Sequence, residues 1–135
     1  MGYDLYPTNE NLESFQFGAF SWTHLLEQCG SYFACTQHGP QWYCVWEQDK
    51  RMGDDYPMIL SNDGFPVTAE ESLVLARIAR NYAAMQRTLD ASHTLTDVSL
   101  PDFAKPWPRK IREDWVDLFE RFAEWSEQSG GFEIH

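Results

Sequence analysis

Residues 61–80 read SNDGFPVTAEESLVLARIAR. Asn62, Asp63 and Gly64 favour a turn, because short polar side chains bond their own backbone and glycine accepts positive φ. Thr68 stands three residues before Glu71, the spacing at which a hydroxyl and a carboxylate satisfy each other's backbone N–H groups at a helix start. The pattern predicts a helix over about 69–89. Its apolar period puts Val74, Ile78, Tyr82, Met85 and Leu89 on a core face, with Arg77, Arg80 and Arg87 toward the opposite one.

Working outward, QWYCVWEQD at 41–49 alternates Trp42, Cys44 and Trp46 with Tyr43, Val45 and Glu47, a period of two in strong strand formers. YPMIL at 56–60 is a shorter apolar run, and the two could pair as a hairpin through 48–55. Toward the N-terminus, MGYDLYP reads as a short strand stopped by Pro7, and FQFGAF as a second, edge-like strand. Ser21 then caps a short helix, WTHLLEQC, closed by Gly30. Toward the C-terminus, residues 90–108 contain three prolines and no helical period, which predicts a surface connection. A last helix starts near Pro108 and carries Ile111, Trp115, Leu118, Phe119, Phe122 and Trp125 until SGG ends it. FEIH follows as a tail or terminal strand. Short strands with a small helix, followed by two long helices, indicate an α+β fold in one domain over 1–135. The architecture expected is a small, mostly antiparallel sheet packed against two long C-terminal helices and one short N-terminal helix.

A chain of 135 residues, 43% hydrophobic and 16% aromatic with six tryptophans, can fill one core without a disulfide or metal. Its formal charge is −11, from 21 acids against 10 Lys and Arg, and residues 1–49 contain no Lys or Arg. Such a field repels phosphate backbones and anionic membranes and steers a basic protein partner inward; the plainer and better-supported explanation is simple solubility. Three cysteines (Cys29, Cys35, Cys44), with neither a leader-like segment nor a membrane-length apolar run, lead us to expect a reduced, cytoplasmic protein.

Four groups of residues bear on chemistry. Cys29, Cys35, His38 and Cys44 are close in sequence but lack the paired spacings of a small zinc site, so they read better as packed side chains. Asp54, Asp55 and Asp63, with Asp4, could converge on Mg or Ca; acids in turns more often bond their own backbone. The histidines are scattered, and hydrolase and phosphate-loop signatures are missing. No metal or cofactor is expected. Arg77, Arg80 and Arg87 could clamp phosphates, with a base stacked on Trp42, Tyr43 or Trp46; the plainer reading is the solvated face of a helix.

The start MGYDL, the FSW and LL pairing at 20–26, and SNDGFPVTAEES followed by LARIA at 61–79 resemble a loose group of small uncharacterised bacterial and phage proteins. These begin Met-Gly-x-Asp and place Asn-Asp-Gly before an Ala-rich helix. The resemblance implies a bacterial or phage accessory protein and no particular activity. The function expected is that of a non-catalytic acidic binding protein, an inhibitor or adaptor of a basic partner met by Glu10, Glu13, Glu47 and Asp49. The alternatives are a nucleotide-sequestering protein using the arginine stripe, and a metal-dependent hydrolase using the aspartates.

Overall fold

The computed structural model describes residues 2–36, 64–90 and 110–135. In chain order these form β1 (Gly2–Pro7), β2 (Phe15–Gly18), α1 (Ala19–Thr36), β3 (Phe65–Val67), α2 (Ala69–Arg87), α3 (Glu113–Ser129) and β4 (Phe132–Ile134). The strand, hairpin and aspartate turn expected over 41–63, and all but Asp90 of the connection expected over 90–108, lie outside the described residues. The fold is α+β: four antiparallel strands in the order β2–β1–β4–β3, with three helices.

β2 occupies an edge of this sheet, as its sequence suggests, whereas the terminal FEI segment is an interior strand. Leu5 faces both Phe15 and Ile134, and Ile134 in turn faces Phe65, so one row of apolar side chains crosses all four strands. Alternation then leaves Phe17, Phe65, Val67, Phe132 and Ile134 buried while Gln16 and Glu133 are exposed. The helices close over the buried side. Trp22, Leu25 and Leu26 enter from α1, and Val116, Phe119, Phe122 and Trp125 from α3. Phe122 is wholly buried, with ring centroids 5.1 Å from Phe17, 5.7 Å from Phe15 and 5.9 Å from Trp22. Edge-to-face contacts of this kind add to the gain from area alone.

α2 starts at the capping box: Glu71 N donates to Thr68 Oγ1 at 3.1 Å, and Thr68 N donates to Glu71 Oε1 at 3.0 Å. Its core face is rotated from the one expected. Of the five apolar residues named above, Ile78 is buried, whereas Val74, Tyr82, Met85 and Leu89 are half-buried; the buried stripe runs through Leu75, Ala76, Ile78, Ala79 and Ala83. Small side chains win here because α3 lies close. Ser126 Oγ on α3 donates to the backbone carbonyl of Ser72 on α2 at 2.7 Å, a contact that larger residues would prevent.

Three boundaries also differ from expectation. α1 starts at Ala19, so Ser21 lies within its first turn and its hydroxyl donates to Gly18 O at 3.1 Å rather than capping the helix. α1 continues through Gly30 to Thr36, since a glycine within a helix costs only about 1 kcal/mol relative to alanine and does not by itself end it. α3 begins at Glu113 rather than near Pro108. Its end is the one expected: Gly130 takes the left-handed conformation at φ 69°. Asn9 supplies further caps, its N donating to Ser129 O at 2.8 Å and its Nδ2 to Gln128 O at 2.9 Å. Gly131, at φ 99°, passes so near β3 that a Cβ there would lie 2.8 Å from Val67 O.

Candidate functional site

Arg77, Arg80 and Arg87 recur at helical spacing along the exposed side of α2, and the acids of α3 recur opposite them. Arg87 Nε donates to Glu120 Oε1 at 2.5 Å, and its NH2 group donates to Glu120 Oε2 at 3.0 Å and to Asp117 Oδ1 at 2.7 Å. Arg80 pairs with Glu127. The hydrogen bond from Arg87 holds the Glu120 carboxyl below the usual carboxylate range, and Arg80 does the same to Glu127. Among the described residues Arg77 makes no ion pair. It lines an open groove of about 440 Å³ with Leu73, Arg80, Asn81 and Glu127.

The arginine stripe is thus exposed, as the helical period suggests, and two of its three members are bonded to the neighbouring helix. Sequence periodicity could not show this, because it places residues on a face without saying which element lies opposite. The aromatics proposed to complete a ligand site, Trp42, Tyr43 and Trp46, lie outside the described residues. So do Glu47, Asp49, Asp54, Asp55, Asp63, His38 and Cys44. Cys29 and Cys35 belong to α1. Glu10 and Glu13 are exposed between β1 and β2, where the Glu13 carbonyl accepts a 2.6 Å hydrogen bond from Trp125 Nε1. Asp4, in β1, exchanges backbone hydrogen bonds of 2.8 Å with His135.

A polar constellation not anticipated from sequence lies between the helices. His24 of α1 places Nε2 2.7 Å from the Tyr82 hydroxyl of α2. Gln86 Nε2, one turn along, donates to the same oxygen at 3.2 Å, and Gln86 Oε1 accepts from the backbone N of Ile111 at 2.9 Å. The imidazole lies among the rings of Tyr82, Trp115 and Phe119, with centroids 5.5, 5.5 and 6.3 Å away. Burial pushes the Tyr82 phenol up to about 12, opposed by its hydrogen bond with Gln86. The signal available in sequence was a Tyr and a Gln four residues apart on α2; nothing in it brought His24 to them.

Comparison with protein-family models, with curated proteins and with solved structures gives no match. Among the described residues no helix is long and apolar enough to cross a membrane.

Proposed function

We propose that the chain is a non-catalytic interaction protein whose acidic surface receives a basic protein partner in the cytoplasm, as an inhibitor or adaptor of bacterial or phage origin. The observation that carries this reading is the internal neutralisation of the arginine stripe. Arg80 and Arg87 are paired with α3, while Glu10, Glu13, Glu70 and Glu113 are exposed and make no ion pair among the described residues. With a formal charge of −11, the field presented to a partner is negative. Such a field acts chiefly on association rate and is screened over roughly 10 Å at 0.1 M salt.

A nucleotide would have to draw Arg80 and Arg87 away from carboxylates that already hold them, so the structure favours this alternative less. The test is capture of partners at low and high salt, followed by charge reversal. Binding of a recovered basic partner should weaken with salt and weaken again in a chain carrying Lys at Glu10, Glu13, Glu47 and Asp49. Affinity indifferent to both changes would overturn the reading.

A further inference from the structure

Resting on the basic-partner reading above, we infer that the partner docks as an extended strand on the open edge of β2, with an apolar–basic–apolar sequence centred opposite Gln16. The ladder fixes which backbone groups that edge offers. Asp4 exchanges both hydrogen bonds with His135, so its N–H and C=O point toward β4, and those of the next residue, Leu5, point toward β2. Leu5 stands opposite Phe15, Asp4 opposite Gln16, and Tyr3 opposite Phe17. Phe15 and Phe17 therefore turn their backbone groups to β1, while Gln16 turns its N–H and C=O away from the sheet. β2 is an end strand, Gln16 is exposed, and no strand is paired beyond it among the described residues. An outward donor and acceptor on one residue are what an added strand bonds.

Sheet edges are ordinarily blunted by Lys, Pro or an inward charge, and Phe15–Gly18 reads FQFG with none of these. Its four residues are too few to hold a partner by backbone bonds alone, so the flanking side chains have to contribute. At one end Phe20, in the first turn of α1, is 83% exposed, whereas Phe17, Phe119 and Phe122 are buried. At the other end Glu10 and Glu13 are exposed and make no ion pair among the described residues. Alternation sets the order of residues in the partner. The one opposite Gln16 shares the outward face with Gln16 and Asp4, which suits Lys or Arg. Its neighbours on either side fall on the face of Phe15 and Phe17, where apolar groups extend the core. A second copy offers no such base, because residues 1–49 lack Lys and Arg, so charge selects a different chain.

The experiment compares two synthetic peptides of equal charge, Lys-Val-Lys-Val-Lys-Val-Lys and Lys-Pro-Lys-Pro-Lys-Pro-Lys, with blocked ends. The first can add a strand and the second cannot, so the first should bind about tenfold tighter, the worth of two backbone hydrogen bonds. It should also slow hydrogen exchange at the Gln16 amide. Gln16→Pro deletes an N–H that points away from β1, so it should leave the Tm nearly unchanged and erase the preference between peptides. Phe20→Ser should lessen that preference. If Gln16→Pro fails to fold, the Gln16 amide of the unaltered protein and Phe20→Ser decide. Equal, salt-sensitive binding of both peptides, a preference untouched by either substitution, or an unprotected Gln16 amide would overturn strand docking and leave the acidic-surface reading standing. Binding of neither peptide at low salt would overturn both. Protection of Gln16 in the concentrated protein alone would put a second copy on the edge and overturn the proposal as well.

Discussion

Phe122 shows how much one side chain can carry in this protein. It has no exposed surface and touches rings from β2, α1, α3 and β4. Phe122→Ala should destabilise the fold by about 3–5 kcal/mol, a large share of a typical domain's stability, measured as a fall in the urea midpoint with unchanged m-value. This residue was legible in the sequence because the last helix repeats large apolar side chains at an unbroken period. The core face of α2 was not: Ala76, Ala79 and Ala83 are weakly hydrophobic, and only the approach of α3 makes them more valuable inside than Val74 or Met85. The meeting of His24, Tyr82 and Gln86 was illegible for a similar reason. Polar partners on three elements leave no local pattern, and His24 alone reads as an ordinary surface imidazole.

At the scale of elements, helix ends were read correctly where a cap marks them, at Thr68 and Gly130, and misread at both ends of α1 and at the start of α3. Thr68→Ala should cost about 1 kcal/mol, seen as a lowered Tm, and Thr68→Ser should recover most of it, because the hydroxyl is what Glu71 N meets. The pairing of α2 with α3 has its own signature in pH. Glu120 and Glu127 have carboxyl pKa values lowered in the folded state, first by hydrogen bonds from Arg87 and Arg80. Stability from these pairs is therefore complete above the unfolded carboxylate value, near 4.3, and is lost as pH falls below it. Replacing Arg80 and Arg87 together by Met should flatten the acid limb of a Tm-against-pH curve below about pH 4.3 and leave the shape at neutral pH nearly unchanged. High salt should mimic part of that change, because the pairs are exposed. The arginines could be found by period alone, but their engagement depends on acids more than thirty residues away along the chain.

The whole molecule is organised by where β4 sits. Phe132–Ile134 pairs with β1 on one side and β3 on the other, and the interior side chains of all three strands lie under the same helices. Three residues carry too little period to be recognised as a central strand, and their place is decided by partners distant in sequence, β1 and β3. The class of fold was nevertheless readable, because strands, turns and capped helices announce themselves locally while their order in a sheet does not. Removing residues 132–135 should leave β1 and β3 without their shared neighbour; circular dichroism and the melting curve should show a loss of cooperative unfolding rather than a small drop in Tm.

Synthesis delivers this shared strand after every other described element. A chain emerging from the ribosome at roughly 5–20 residues per second holds β1 with one ladder edge unmatched until residues 132–134 clear the exit tunnel. For that interval the nascent protein is a candidate for chaperone holding or for pairing with a neighbouring polysome product. Protection of the β1 amides on stalled ribosomes should therefore appear only in nascent chains long enough to expose residues 132–134.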